Sequence, residues 1–442
     1  MGRRYLKCVL RTKIVSAFIS VYCGIYVLVK RKSLIGKGKI GILHFSSFRA
    51  PQDVSLYERS GRAVVYEMPS KFIVFINAIV APEMSDSETM RDIYYSEEKK
   101  YIELRRVLVS RLGWFVRVIT KVLGVSAIVS PAAHYRQEKL WAYACEEIGF
   151  PFISVHKEMT SVPQRHKEIK AIAKGASGSK WHGSIVCVAN ETAKEIAIKA
   201  NLIDESKLVL SGLIRSDDLI GPLSSPPPDV HSLPKVITLF SFAHYTGAFL
   251  EVKAQRSKYF CKDDSHGFVK LFNVVHAAAA QFAIEHPDTI VFVKPKLTDV
   301  NWISEITRAV REGCGVDVVD IPNFRITSKP APELIDGSRA IVALNSSVVL
   351  EGRLRGRPTI LPIFEEAEGS HEDALFFRGY YDLFNLAHSK EELLEIMQIG
   401  SENKLAVVGS DKRVQEMCEH YFGFSDGMTT HRILDIIKTK KS

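Results

Sequence analysis

Residues 340–362 read AIVALNSSVVLEGRLRGRPTILP. Ala340 to Leu344 is an unbroken apolar run of strand length, Asn345-Ser346-Ser347 is a polar turn, Val348 to Arg355 reads as a helix, and Thr359 to Pro362 reads as the next strand. Parallel neighbours need such a crossover helix, so a strand–helix–strand succession is the unit from which parallel sheets are built. Working outward, the same alternation recurs on both sides. Toward the C-terminal half it predicts strands over Val236–Phe240, Thr289–Val293 and Val316–Val319, with helices over Gly267–Glu285 and Trp302–Arg311. Toward the N-terminal half it predicts strands over Ile40–Phe45, Ala63–Met68, Ser126–Ser130, Pro151–His156 and Ile185–Ala189. Helices follow over Arg136–Ile148, with Gly149 as its stop, and from Asn190, with Glu191 and Thr192 in the first turn. Phe72–Val80 fits either strand or helix.

One stretch interrupts the alternation. Gly221–Pro234, GPLSSPPPDVHSLP, holds five prolines in fourteen residues, which marks a connector. The predicted organisation is therefore α/β, with two Rossmann-like lobes: a basic and apolar segment over 1–38, a first lobe over 39–220, a Pro-rich linker over 221–234, a second lobe over 235–408 and a helical end over 409–442. A chain of 442 residues with 46% hydrophobic residues has the mass for two such cores.

The net charge of +9 is local. Residues 1–39 hold ten Lys or Arg and no acid; with these ten removed from 59, the rest of the chain has 49 basic residues against 50 acidic ones. A nearly neutral body does not make a broad nucleic-acid surface. Between the basic clusters Ile14–Val29 is uncharged but only 16 residues long and interrupted by Ser16, Ser20 and Gly24. A spanning helix wants about 20 apolar residues, so a helix lying in the bilayer interface, with a true span or a buried helix as the other readings, is expected here. A signal peptide fits less well, since Lys30-Arg31-Lys32 closes the segment and no small-residue cleavage site follows, and Leu6 replaces the hydroxyl residue of a myristoylation motif. The seven cysteines form no C-x-x-C pair and are odd in number, which argues against a disulfide framework and a zinc site.

Ligands of open α/β sheets bind beyond the carboxyl ends of strands. Three loops there carry polar residues. At Asn345-Ser346-Ser347 a helix begins with unpaired N–H groups, which is a seat for an anion, and Glu351 lies one turn in, within reach of ribose hydroxyls; the alternative is that the serines only cap the helix. Lys294-Pro295-Lys296 ends a strand with two cations. His156-Lys157-Glu158 follows a first-lobe strand and offers a general base, with Glu158 the leading candidate, His156 its rival, and Asp53, in the loop after the first strand, the next. His244 follows Val236–Phe240 and is a further donor contact or, as a lone histidine, a packed one.

Asn345-Ser-Ser…Glu351-Gly…Gly356-Arg-Pro358-Thr-Ile resembles a signature of bacterial surface-carbohydrate and capsule glycosyltransferases of the two-lobed GT-B fold. Val188-Ala-Asn190-Glu191…Gly212-Leu-Ile-Arg215-Ser-Asp217 is similar to the segment that closes their first lobe, and Gly149-Phe-Pro151 with the strand before His156 is similar to a third stretch. Ile290–Lys296 stands where Kdo-transferring and related capsule enzymes have a lysine, proline and histidine strand end; here Lys296 replaces the histidine and Leu297 a second proline. The resemblance spans Leu140 to Pro362 discontinuously. It implies a glycosyltransferase whose second lobe holds a nucleotide-sugar through Asn345, Ser346, Ser347, Glu351, Lys294, Lys296 and His244, and whose terminal helix returns to the first lobe.

The sequence has no phosphate-binding G-x-x-x-x-G-K-[ST] loop, no G-x-G-x-x-G after the first strand, no H-E-x-x-H and no D-x-D pair for a metal with a nucleotide diphosphate. The expectation is a metal-independent transfer with no cofactor beyond the nucleotide-sugar co-substrate, to a glycan or lipid-linked acceptor, at the cytoplasmic face of the inner membrane, with residues 3–39 on the membrane surface and no nucleic-acid partner. A sugar-nucleotide epimerase, a polyol-phosphate transferase and a non-catalytic polysaccharide-assembly protein are the other readings of the same scaffold.

Overall fold

The computed structural model describes residues 38–46, 51–69, 73, 76–77, 96, 98–133, 136–156, 180–199, 201, 203–247, 257, 259–262, 266–296 and 300–441. These fall into two units, one from residues up to 156, 180–224 and 418–441, the other from 225–417. The expected membrane segment, residues 1–38, lies outside the described residues but for Gly38, as does Glu158. Among the described residues no helix is long and apolar enough to cross a membrane.

The first unit is a six-stranded sheet in the order β2-β1-β3-β4-β5-β6. Its strands are β1 (Ile40–Ser46), β2 (Ala63–Pro69), β3 (Ala127–Ser130), β4 (Phe152–Val155), β5 (Ile185–Val188) and β6 (Leu208–Leu210), and every pairing is parallel. Alternate residues point to opposite faces, so each strand feeds two cores. On one face Leu43, Phe45, Ile128 and Phe152 pack with Phe115 of helix α2 (Lys99–Leu123) and Trp141 of α3 (Arg136–Glu147). Trp141 meets Phe45 and Phe115 edge-on, with ring centroids 5.0 and 5.6 Å away. On the other face Ile42, Val65, Val129 and Ile153 pack with Val54 and Tyr57 of α1 (Pro51–Arg59) and with Ile433, Leu434 and Ile437 of α11 (Thr429–Lys441). A further helix, α4 (Glu191–Lys199), starts at Asn190, whose Oδ1 accepts from the Ala193 N–H at 2.8 Å.

Helix α2 was not assigned from sequence, although Leu108, Leu112, Phe115 and Ile119 repeat at helical spacing and are all buried. It ends at Gly124, which takes the left-handed conformation at φ 65°. The helical end expected over 409–442 is two helices, α10 (Asp411–Phe422) and α11, separated at Gly423 and Gly427, both at positive φ. The start of α11 is held by Asp217: its carboxylate oxygens accept from the Thr429 N–H at 3.1 Å and the Thr430 N–H at 2.6 Å. Gly212, at φ 95°, lets this loop approach, since a side chain there would meet Thr429 Oγ1 at 2.5 Å. The Gly212…Asp217 motif thus anchors the terminal helix.

The second unit is a parallel sheet in the order β12-β11-β10-β7-β8-β9. It comprises β7 (Val236–Phe240), β8 (Ile290–Lys294), β9 (Phe324–Ile326), β10 (Ala340–Ala343), β11 (Thr359–Pro362) and β12 (Asn385–Ala387). The helices are α5 (Val269–Glu285), α6 (Val300–Cys314), α7 (Ala331–Asp336), α8 (Val348–Leu354) and α9 (Lys390–Ser401). Val316–Val319, expected as a strand, is not one: a tight helical turn covers Val318–Asp320, Val319 is 88% exposed, and the strand falls at Phe324–Ile326. Asp317 and Asp320 and the left-handed Gly315 interrupt the run, whereas Phe324 brings a buried aromatic into register with Val291.

From Ser225 onward the Pro-rich connector is fastened to the second unit. Arg355 donates to the Ser225 carbonyl, Arg357 to the Pro228 carbonyl at 2.9 Å, and Arg339 to the Leu233 carbonyl at 2.7 and 3.0 Å. Arg357 is 1% exposed and also donates to the carbonyls of Ile335 and Asp336 at the end of α7, where orphan carbonyls favour a cation.

Removing the α11 cap tests this anchoring. Asp217→Ala is expected to lower stability by about 1–2 kcal/mol and to raise amide exchange across α11 before the rest of the unit; hydrogen exchange by mass spectrometry reads both, and unchanged protection of α11 would contradict the assignment.

Candidate functional site

The chain runs from β7 to β8 and β9 on one side, then returns to β10, β11 and β12 on the other. Loops leaving the carboxyl ends of the two strands at such a reversal diverge and leave a crevice between them. Here the reversal lies between β7 and β10, and the loops are 241–247 and 344–347. Phe240 pairs with Lys294 on one side and Ala343 on the other, so Lys294 and the β10 end stand in one row, two strand spacings or roughly 10 Å apart.

Asn345 binds the sides of this crevice together. It is 9% exposed and left-handed at φ 48°. Its Nδ2 donates to the Thr246 carbonyl at 3.0 Å and the Ala374 carbonyl at 2.9 Å, and its Oδ1 accepts from the Phe376 N–H at 2.9 Å. Both donors of the amide are therefore committed to the protein. The Asn345 side chain joins three loops. Gly247, at φ 76°, completes the contact: a Cβ would meet the Ala374 carbonyl and, at 2.5 Å, Asn345 Nδ2.

Ser346 and Ser347 are half-buried at the start of α8. Ser347 does not cap the helix through its side chain; its hydroxyl donates to Glu351 Oε1 at 2.9 Å. This fixes the carboxylate one turn in, where it suits sugar hydroxyls and repels a phosphate placed beside it. Across the sheet Lys294 is half-buried, and burial lowers its pKa from the ordinary lysine value. Lys296, two residues on, is exposed. The N-terminus of the long helix α5 already holds an internal anion: Glu366 accepts from the Lys270 N–H at 2.8 Å and the Leu271 N–H at 2.9 Å. The sequence gives no local signal for that contact, which joins residues 95 and 96 apart.

Behind the crevice lies a buried chain of hydrogen bonds. The Trp302 Nε1–H donates to Ser241 Oγ at 2.9 Å. His276 Nε2 stands 2.9 Å from the same oxygen, and His276 Nδ1 is 2.7 Å from the Phe272 carbonyl. A carbonyl only accepts, so Nδ1 carries the proton, Nε2 accepts, and Ser241 donates to it. Burial lowers the His276 pKa to about 4, which keeps this neutral tautomer. His244 belongs to the same packing: 1% exposed, it accepts from the Cys261 N–H at Nδ1 and packs against Phe260 and Phe272 at 4.9 and 4.8 Å. These contacts anchor the 241–247 loop.

In the first unit Asp53 lies not in a loop but in the first turn of α1, 2% exposed and 3.4 Å from Arg215 Nε. Through this ion pair Asp53 holds the turn that follows β6. His156 follows β4 directly, half-buried, its N–H donating to the Cys187 carbonyl at 2.8 Å. Sequence reading overlooked His44 as an ionisable group: on β1 and 1% exposed, it has a pKa lowered to about 4 by burial. Among the described residues no group of three or more His, Cys, Asp or Glu is placed to hold a metal ion.

No family model matches the sequence, and no curated protein matches it. Among solved structures the chain is similar to the UDP-GlcNAc 2-epimerase from Neisseria meningitidis bound to UDP-GlcNAc, at 8% identity over 91% of this chain and 100% of that one, with a TM-score of 0.45. It is similar to the UDP-GlcNAc 2-epimerase from Methanocaldococcus jannaschii at 11% identity over 91% and 99%, TM-score 0.47. It is also similar to the wall teichoic acid polymerase TagF at 12% identity over 97% and 98%, TM-score 0.43.

Asn345→Asp is expected to destabilise the second unit by roughly 3 kcal/mol, because a carboxylate cannot donate to the two carbonyls and leaves them unpaired. Denaturant unfolding checks this, and a loss below 1 kcal/mol would contradict the role. A second expectation concerns pH. His44 and His276 stay neutral in the folded protein down to about pH 4, whereas the unfolded chain takes up these protons near pH 6.5. Their stabilising contribution is complete above pH 6.5 and is lost as pH falls toward 4, by about 2 kcal/mol each at pH 5. The melting temperature is expected to drop between pH 7 and pH 5, with a shallower drop in the His44→Leu variant.

Proposed function

We propose that the protein is a metal-independent glycosyltransferase that moves a sugar from a nucleotide-sugar to a growing surface polysaccharide or lipid-linked glycan at the cytoplasmic face of the inner membrane, with residues 3–39 on the bilayer. The observation that carries this is the reversal of strand order between β7 and β10. It places a half-buried amine, Lys294, and the hydroxyl turn Ser346-Ser347 on one carboxyl edge, with Glu351 fixed beside that turn. The motif resemblance over Asn345–Pro358 falls on the same edge.

The roles follow from the chemistry. The bond between the sugar's anomeric carbon and the phosphate oxygen breaks, the acceptor oxygen bonds to that carbon, and the nucleotide leaves as an anion. Lys294, whose ammonium is partly desolvated, stabilises the departing charge, with Lys296 as a second, outer cation. Glu351, held by Ser347, accepts from ribose hydroxyls beside the Ser346 hydroxyl, while the phosphates lie on the Lys294 side. The acceptor's proton passes to a base in the loop that His156 begins, with Glu158 the first choice on its sequence and His156 the second.

Thermal melting of the full chain with CMP-, UDP-, GDP- and CDP-linked sugars tests the proposal. At a hundredfold excess over Kd, the right donor stabilises the folded form by about 2.7 kcal/mol. Lys294→Ala is expected to abolish that shift while leaving the unliganded melting point within a degree or two. Incubation of labelled donor with a lipid-linked acceptor should then release free nucleotide and label the lipid, with no loss of rate in EDTA. No shift with any donor, or an isomerised donor without nucleotide release, would contradict the assignment.

A further inference from the structure

We propose that Ser241 is a positioning residue for the phosphates of the donor: it ties down both ends of the chain segment that carries Lys296, and so fixes the cationic edge of the second unit. This role rests on the sugar-transfer reading and extends it to a residue that acts through Lys294 and Lys296. Lys294 and Trp302 are fastened to Ser241 through different groups. The Ser241 N–H donates to the Lys294 carbonyl at 3.0 Å, continuing the β7–β8 ladder. The Ser241 hydroxyl oxygen accepts from the Trp302 Nε1–H at 2.9 Å. Trp302 lies in the first turn of α6, so the seven residues 295–301 run between two attachments to one residue. A segment closed at both ends has less conformational freedom to lose when it meets a ligand. Pro295 stiffens the near end, since its ring fixes its own φ and keeps Lys294 extended. Phe240 is in register with Lys294, which puts the Lys294 side chain on the face of the sheet opposite to that of Ser241. The influence therefore passes through the main chain.

The hydroxyl is itself oriented. Its single hydrogen goes to His276 Nε2, 2.9 Å away, because His276 Nδ1 gives its own proton to the Phe272 carbonyl at 2.7 Å. The lone pairs of the oxygen are then left for the indole. His276 and Trp302 are fully buried and Ser241 is 8% exposed, so water does not compete for the tie. Phe260 and Tyr259 pack on the Trp302 ring at 5.4 and 5.2 Å. Apolar side chains would fill this space with little loss of net stability. What the polar trio adds is one fixed register between the end of β7, α5 and the start of α6, directly beneath the Lys294 edge.

Two measurements on the full chain test this, the first without any nucleotide. In Ser241→Ala, amide exchange read by mass spectrometry is expected to speed up about tenfold across 294–302, the loss of one hydrogen bond, while β10, β11 and α8 keep their protection. Ser241→Thr keeps the hydroxyl and restores slow exchange. Calorimetric titration with UDP, CDP, GDP and CMP, well below the melting temperature, then compares the unaltered protein with Ser241→Ala, Ser241→Thr and Trp302→Phe. The nucleotide that binds is expected to bind about tenfold more weakly to Ser241→Ala and to Trp302→Phe, and with unaltered affinity to Ser241→Thr. The double variant is expected to match either single one, because both cut the same tie. Should Ser241→Ala not fold, Trp302→Phe carries the same comparisons. Unchanged exchange over 294–302, unchanged affinity in the single variants, or penalties that multiply in the double variant would overturn the positioning role and leave the sugar-transfer reading standing. Failure of the unaltered protein to bind any of these nucleotides would overturn that reading and this role with it.

Discussion

A single side-chain amide closes the functional end of the second unit. The β7–β10 reversal opens a crevice by sending two loops apart, and a crevice between loops has no ladder hydrogen bonds to define its width. Asn345 supplies that definition through two donated bonds and one accepted bond, linking the β10 turn to Thr246 on one side and to Ala374 and Phe376 on the other. Its left-handed backbone aims the amide inward, a conformation that asparagine tolerates better than most residues. Ser241, His276 and Trp302 then hold the base of the 241–247 loop from below. Lys294, Ser346 and Glu351 stand on that frame.

Charge in that frame is distributed unevenly. Lys294 ends β8 with its ammonium partly stripped of water, which strengthens its attraction for an anion. Glu351, tied to Ser347, adds negative charge near the α8 start, and Glu366 fills the α5 N-terminus. A dianionic ligand is therefore drawn toward the β8 side of the crevice and its hydroxyl-bearing part toward Glu351.

Much of the fold was legible in the sequence because buried parallel strands are short apolar runs that a turn ends. Val236–Phe240, Ala340–Ala343 and Thr359–Pro362 were found within a residue. Val316–Val319 had the composition of a strand without a partner in register, and pairing is a tertiary property that a local run does not encode. Helix α2 escaped because its apolar stripe is narrow and its basic residues dominate the local composition. At the site, residue type was the better guide than residue role. Asn345, Asp217 and Asp53 were conspicuous as polar residues beside strands, but each spends its hydrogen bonds or charge on partners 29 to 213 positions away in sequence. Those partners are visible only once the chain is folded.

Hydrogen exchange of the full chain, with and without the donor that raises its melting point, tests the central claim most directly. Added protection should concentrate at 241–247, 294–296 and 345–351, on both sides of the β7–β10 reversal, and should disappear in Asn345→Asp even where that variant remains folded. Protection confined to other segments, or undiminished in that variant, would contradict the account.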